Sequence, residues 1–317
     1  DKEYPYKLLG RVIDIYRKSK NTTVSKAFLT IISSTRNVPN DKVESFYNSE
    51  QNLEKGILDL RVKSGRFGQN RSFPFYSLDN TKILSDFQLF GTSNQILPEY
   101  PGNLTYTAIE KKYDVKIDDC INCGEKELSI SFSPKEANGR LFYGKMLVDP
   151  DLLTVKKIEL WSKDPITNAL TSINKKVVLT PKEIQLNIVF NPMDLEKIQY
   201  LDLTFLMDYK SKNVSEIIDS RTFLYFFDYG TLFEDPYFTK ATFFNNDYDK
   251  MIALQASDDF WEINYQFPKS ISENKSMDFM EKNGFLINYN NYIPLDDLKY
   301  TKSTVLSWQR GRRLKWE

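Results

Sequence analysis

The side chains that could carry out chemistry in this sequence are carboxylates, lysines, tyrosines and two cysteines, because the 317 residues include no histidine. Without histidine the chain cannot use a Ser-His-Asp or Cys-His catalytic group, a histidine-ligated zinc ion or an imidazole pH switch. Close pairs of aspartates remain as candidates for acid–base catalysis. They are Asp118 and Asp119, Asp149 and Asp151, Asp247 and Asp249, Asp258 and Asp259, and Asp296 and Asp297.

These aspartate pairs are weak evidence for an active site. Two carboxylates catalyse glycoside hydrolysis only when they face each other across a cleft at a set separation, and aspartates close in sequence more often form turns and caps. Asp247 and Asp249 offer oxygen ligands to calcium, but the glycine and glutamate of an EF-hand loop are missing. We therefore predict no enzyme, no metal site and no cofactor, with a carboxylate-dependent hydrolase as the remaining catalytic alternative.

The two cysteines form one Cys-x-x-Cys pair, Cys120 and Cys123. Structural zinc needs four ligands, so this pair would suffice only if two chains shared the metal. A thioredoxin-like pair opens a helix after a strand, whereas this pair follows two aspartates and precedes a predicted strand at 128–132. Nearby acids would also raise the thiol pKa values. We expect a small disulfide or two idle thiols in a loop.

Composition narrows the classes of partner. Lysine plus arginine and aspartate plus glutamate both total 43, so the net charge is zero. A neutral chain has no global field that favours nucleic acid. Aromatic residues make up 14% of the chain, with 22 Phe and 19 Tyr, which favours β-sheet. No apolar run reaches the roughly 18 residues that a membrane-spanning helix requires.

Alternating apolar and polar residues predict the elements that must position any site. Residues 139–161 predict a β-hairpin closed by Asp149, Pro150 and Asp151. Further strands are predicted at 26–34, 43–47, 53–63, 113–117, 128–132, 177–179, 184–190, 198–208 and 221–229, and helices at 6–16, 82–90 and 275–283. Residues 64–68, Ser-Gly-Arg-Phe-Gly, predict a turn after the third of these strands.

The pattern predicts an α+β, mainly β fold. We expect a large curved antiparallel sheet, half-barrel-like, with an N-terminal helix and an irregular C-terminal part. Residues 1–235 would form the sheet domain, and residues 236–317 an irregular aromatic segment packed on the same domain. The basic, amphipathic end at 308–316 would either fold back on the body or touch anionic lipid or another acidic surface.

Several strands are apolar on both faces, which requires a helix, a partner or a ligand cavity on the second face. In residues 221–229, Phe223, Tyr225 and Phe227 alternate with Leu224 and Phe226. We hypothesise an apolar concavity, with ordinary core packing as the alternative. Its candidate lining residues are Phe28, Ile32, Phe132, Phe142, Phe190, Phe205, Tyr225 and Phe227.

Four stretches resemble Bacteroidetes envelope proteins labelled as carboxypeptidase-like regulatory domain-containing. They are residues 6–9 with 12–13, residues 43–48, residues 58–61 with 63–66, and residues 144–149 with 157–158. The label implies no peptidase, since this chain has no histidine for a carboxypeptidase zinc site. The central hairpin separately resembles those of lipoprotein-carrier (LolA/LolB-like) half-barrels, in which a curved sheet around helices holds an acyl chain.

These resemblances imply an extracytoplasmic protein in the periplasm or at the outer membrane. The leading hypothesis is a non-enzymatic binding or carrier-like module that holds a lipid or another apolar ligand in the sheet concavity. The alternative is a structural or interaction module that docks on an outer-membrane protein through the aromatic C-terminal part. Neither version involves nucleic acid.

Overall fold

The computed structural model describes residues 2–73, 80–92, 96–119, 124, 126–167, 177–234, 251, 258–264 and 271–287. Several sequence predictions fall outside these residues. They concern Cys120 and Cys123, Asp247 and Asp249, Asp296 and Asp297, and the basic segment at 308–316.

One large antiparallel sheet dominates the molecule. Its strands are β1 (Thr22–Thr35), β2 (Val38–Asn52), β3 (Gly56–Asn70), β4 (Tyr113–Asp118), β5 (Leu128–Pro134), β6 (Tyr143–Asp149), β7 (Thr154–Lys163), β8 (Val178–Asn191), β9 (Asp194–Lys210), β10 (Ser215–Phe227) and β11 (Gly284–Ile287). The 11 strands follow the order β11-β3-β2-β1-β10-β9-β8-β7-β6-β5-β4. The prediction of a mainly β fold with one large antiparallel sheet and an N-terminal helix is confirmed.

The predicted central hairpin forms between β6 and β7. In its turn, the Asp149 carboxylate accepts hydrogen bonds from the backbone N–H groups of Asp151 and Leu152, both at 3.0 Å. This is the local bonding for which aspartate is favoured in turns. Asp149 therefore acts as a turn residue, and its side chain is occupied by the backbone.

The helices are α1 (Tyr4–Lys18), α2 (Asn80–Asp86), α3 (Tyr106–Lys112), α4 (Asp258–Ile263) and α5 (Ile271–Asn283). Helix α1 forms because its apolar residues recur every three or four positions. Pro5 is tolerated in the first turn, and Arg17 and Lys18 lie in the last turn, where the helix dipole favours cations. Within the described residues, no helix is both long and apolar enough to cross a membrane.

We call the sheet face that packs against α1 the inner face, and the opposite face the outer face. Strand side chains point alternately to the two faces. On β1, Ala27, Leu29 and Ile31 are buried in the same core as the α1 side chains. The intervening Phe28 belongs to a second cluster with Phe46. The main core therefore lies between α1 and the inner face, and a smaller one covers part of the outer face.

The predicted turn at 64–68 is wrong, because strand β3 continues through it to Asn70. The two glycines serve close packing here. A Cβ atom on Gly65 would lie 2.4 Å from the Met251 side chain, and one on Gly68 would lie 2.8 Å from Leu286. Glycine inside a strand often marks such an approach, which the local sequence does not distinguish from a turn.

Four other elements differ from the prediction. Residues predicted as separate strands at 177–179 and 184–190 form the single strand β8, with an irregularity between Pro181 and Glu183. Helix α3 occupies residues where no helix was predicted, and β11 extends the sheet beside β3. Strand β2 is buried along most of its length, so it lacks the alternation that would have revealed its full extent.

Candidate functional site

Helix α1 and the segment from α2 to α3 pack on the inner face of the sheet, where the sequence predicts that an apolar ligand binds. Tyr16 contacts the rings of Phe90 and Phe190 at centroid distances of 4.8 and 5.8 Å. Its hydroxyl oxygen accepts a hydrogen bond from the backbone N–H of Val155 at 2.6 Å. Burial raises the pKa of Tyr16 to about 12. The chain therefore packs its own side chains across the inner face.

The eight predicted lining residues are divided between two environments. Phe132, Phe142, Phe190 and Phe205 belong to the inner core and are at most 1% exposed. The others, Phe28, Ile32, Tyr225 and Phe227, alternate with the inner-face residues of β1 and β10 and are partly buried. None of the eight lines either of the two cavities described next. The structure thus divides the eight residues between the two faces of the sheet.

A groove of about 330 Å³ lies between α1 and α3. We call it the α1–α3 groove. Its lining includes the nearly buried side chains of Ile13, Leu104 and Ile109. Tyr106, which is 40% exposed, forms part of its wall. The helix approaches this ring closely at Gly10, where a Cβ atom would lie 2.9 Å from the tyrosine Cδ2.

Arg17 fixes the groove by joining α1 to the segment that follows α2. Its Nε donates a hydrogen bond to the carbonyl of Phe90 at 3.0 Å. Its Nη2 donates to the carbonyls of Gly102 and Leu104 at 2.9 and 3.2 Å. A guanidinium offers donors in a fixed planar arrangement, so these three contacts orient both Arg17 and the loop. Arg17 is therefore a structural part of the groove wall.

The remaining charged residues of the groove lie at the surface. Lys7 forms an exposed ion pair with Glu3 at 2.6 Å, and the hydrogen bond and charge of Glu3 raise the pKa of Lys7. Arg11 and Asp14 are also exposed. Arg11 makes no hydrogen bond or ion pair with any residue that the structure describes. The groove thus combines apolar side chains with an available cation.

A second, more polar concavity of about 660 Å³ lies at the end of the sheet where β1 turns into β2 and β9 into β10. Arg36, in the first turn, contacts Glu216 at 2.9 Å. Asp208 lies 3.6 Å from Lys182. Asp219 contributes a third carboxylate to the lining. Cations therefore match two of the three carboxylates in this concavity, which is typical of surface ion pairs.

The outer aromatic cluster consists of Phe28, Phe46, Phe227, Phe233, Phe260 and Trp261. Phe46 is its centre, with ring centroids 4.9 Å from Phe28 and 5.1 Å from Trp261. Arg66 lies 4.0 Å from the centroid of the Trp261 ring, in the range for a cation–π contact. This cluster explains why β1 and β10 carry apolar residues on both faces: each face of the sheet has its own core.

Beside the outer aromatic cluster lies a buried charge cluster, Lys42, Glu44 and Arg66. The Lys42 side chain is 0% exposed, and its Nζ lies 2.7 Å from Oε1 of Glu44. Lys42 Nζ makes no hydrogen bond to any described residue, so this contact is an ion pair. Arg66 Nε donates to Glu44 Oε2 at 2.7 Å. One carboxylate therefore links two buried or nearly buried cations.

Two of the candidate aspartates, Asp118 and Asp149, have structural partners. Asp118 accepts a hydrogen bond from Ser131 Oγ at 2.9 Å and lies 3.5 Å from Lys145 Nζ. Asp149 closes the central turn, as shown above. Within the described part of the chain, no group of three or more cysteines, aspartates and glutamates is arranged to hold a metal ion.

Sequence reasoning missed the α1–α3 groove, although part of its signal was present. Lys7, Gly10, Arg11, Asp14 and Arg17 recur at helical spacing beside the buried stripe of α1. This places them along one side of the helix. The opposite wall could not be found in the same way, since residues 101–112 lack a clear apolar period and α3 was not predicted.

Comparisons with known proteins give only distant similarities. No protein-family model matches the chain, and no curated protein is significantly similar to it. A crystal structure of MucB matches with 9% identity and a TM-score of 0.24, covering 68% of this chain and 91% of that one. The MucA/MucB complex of Pseudomonas aeruginosa matches with 8% identity and a TM-score of 0.22, covering 69% and 93%. Scores this low do not establish a common function.

Proposed function

We propose that this chain is a non-enzymatic interaction module of the cell envelope, which acts by binding a partner protein. The observation that carries this proposal is the packing of α1 against the inner face of the sheet. Because the chain's own side chains pack on that face, a partner would bind at the outer surface of the molecule. The proposed location in the cell envelope rests on the sequence resemblance to Bacteroidetes envelope proteins.

A carrier of lipid or another apolar ligand is the second candidate, supported by the α1–α3 groove. Its volume of about 330 Å³ lies near the lower limit of roughly 300 Å³ for small-molecule sites. The groove has apolar side chains in its lining, as a carrier would require. This version differs from the original hypothesis, because the groove lies beside α1 and uses none of the eight predicted lining residues.

Native mass spectrometry of the purified chain separates these two functions. An interaction module is expected to show the mass of the polypeptide alone after gentle purification. A carrier is expected to retain a lipid that dissociates when the collision energy is raised. A stoichiometric lipid adduct would therefore contradict the interaction proposal and favour the carrier.

A truncation tests whether the C-terminal segment contributes to docking at the outer membrane. A chain lacking residues 303–317 is compared with the full chain for folding and for co-sedimentation with outer membranes. If the segment docks, the truncated chain keeps its thermal stability and loses co-sedimentation. Equal co-sedimentation of both chains would assign the contact to another surface.

A further inference from the structure

Helix α1 is a locally basic element in a chain whose total charge is zero. Between Tyr4 and Lys18 it carries Lys7, Arg11, Arg17 and Lys18 against one acid, Asp14. Its apolar stripe faces the core, so these charges lie at its margins and on its outward side. The positive charge of this helix is a local feature that the overall composition conceals. Glu3, paired with Lys7, and Glu110, hydrogen-bonded to Tyr106, offset part of it, whereas Arg11 is left to bind an anion.

The α1–α3 groove adds apolar contact to this charge. Ile13, Leu104 and Ile109 are at most 7% exposed and contribute to its lining. The exposed ring of Tyr106 adds an amphipathic wall, a type of side chain enriched at protein interfaces. Arg17 is already held by three backbone carbonyls, so the groove keeps its shape without a ligand.

We propose that the α1–α3 groove is the docking site for an acidic segment of a partner protein. This inference rests on the proposed interaction function and specifies its surface. One apolar side chain of the segment inserts between Tyr106 and Ile13, and a neighbouring carboxylate pairs with Arg11. Lys7 contributes a second positive charge, reduced by its ion pair with Glu3.

Charge complementarity and size favour a peptide over a lipid tail. A groove of about 330 Å³ is at the bottom of the range for whole small ligands, and it suits a single large side chain from a segment that remains on the surface. Arg11 is exposed and makes no ion pair in the described part of the chain, so it can pair with a carboxylate close to that side chain. An acidic segment supplies both features from neighbouring residues.

The test uses the full chain and synthetic peptides followed by fluorescence anisotropy. The probe is a labelled peptide of glutamate and glycine with one central leucine, and two control peptides replace the leucine by glycine or the glutamates by lysine. Arg11→Glu is expected to weaken binding of the probe roughly fivefold, and Asp14→Lys to strengthen it by a similar factor. Lys212→Glu, an equal charge change in the turn after β9, leaves binding unchanged. Binding should weaken as salt is added.

Three results would overturn this docking site. The first is the absence of probe binding, and the second is binding that neither Arg11→Glu nor Asp14→Lys changes. The third is sedimentation of the chain with phosphatidylglycerol vesicles, sensitive to Arg11→Glu, without binding of the probe, which would make the surface a membrane contact. The native mass measurement does not depend on Arg11, so an interaction module that docks elsewhere would still show the mass of the bare polypeptide.

Discussion

At the scale of single residues, the buried charge cluster carries the clearest energetic consequence. Glu44 is paired with both Lys42 and Arg66, so one carboxylate serves two cations. Removing charges from water is costly, and a buried pair that loses one partner leaves the other charge uncompensated. The three members of this cluster should therefore differ greatly in their tolerance of substitution.

We predict that Glu44→Gln lowers the free energy of unfolding by about 3–5 kcal/mol, because it removes the carboxylate that is paired with the fully buried Lys42 and also with Arg66. Lys42→Met keeps the volume similar and leaves Glu44 paired with Arg66, so its cost is expected to stay within about 1.5 kcal/mol. Urea unfolding of both variants measures the difference. Equal losses would show that Lys42 contributes as much to the cluster as its carboxylate.

At the scale of elements, the sheet is stabilised by contacts that the alternation of residues along each strand does not predict. On the edge strand β4, the Tyr6 hydroxyl donates to the carbonyl of Tyr113 at 3.0 Å and accepts from the N–H of Val115 at 3.3 Å. A side chain of α1 thus occupies backbone groups of an edge strand, which would otherwise be available to another strand. Helix α1 both packs on the inner face and protects this edge.

The glycines inside the strands allow a prediction of how much an added Cβ atom destabilises the sheet. A Cβ atom on Gly144 in β6 would lie 2.5 Å from the backbone oxygen of Glu159, which the ladder to β7 holds in place. Gly144→Ala should therefore lower the free energy of unfolding by about 1–3 kcal/mol. Gly65→Ala is the matched control, since its obstacle is the flexible side chain of Met251. Chemical denaturation checks the order, and a larger loss for Gly65→Ala would contradict it.

At the scale of the whole molecule, buried tyrosine hydroxyls make folding sensitive to alkaline pH. Burial raises the pKa of Tyr16 to about 12, and it also raises the pKa values of Tyr100 and Tyr113. The unfolded side chain ionises near pH 10. Above that pH the unfolded state binds fewer protons than the folded state, so the free energy of unfolding falls as pH rises.

We predict that Tyr16 accounts for about 3 kcal/mol of stability that is present below pH 10 and lost by pH 12. Tyr16→Phe removes the ionisable hydroxyl, so the free energy of unfolding of the variant should decline less steeply between pH 10 and pH 12. At neutral pH the variant should be less stable than the original chain, because the N–H of Val155 loses its acceptor. Urea unfolding at several pH values tests this. Tyr4→Phe, at an exposed position of the same helix, should follow the original chain. Parallel declines for Tyr16→Phe and the original chain would contradict the prediction.

The fold was largely predictable because most strands and the first helix carry their own periodicity. Alternation located the arms of the central hairpin, and the apolar stripe located α1, since both signals depend only on neighbours along the chain. The prediction of a turn at 64–68 was wrong because the contacts that determine this segment are not local. Its glycines are explained by Met251 and Leu286, which lie far along the sequence.

The candidate site divides in the same way. Side-chain direction follows from backbone geometry, so the local pattern alone places some residues. It shows that Phe28 and Phe227 lie on one face of their strands. It also shows that Lys7, Arg11 and Asp14 lie on one side of α1. Which side chains cover each face depends on packing between distant segments. Helix α1 packs on the inner face, and the outer aromatic cluster covers part of the outer face. The contact of α1 with α3 leaves the α1–α3 groove open. Those outcomes follow from long-range contacts, which no short stretch of sequence records.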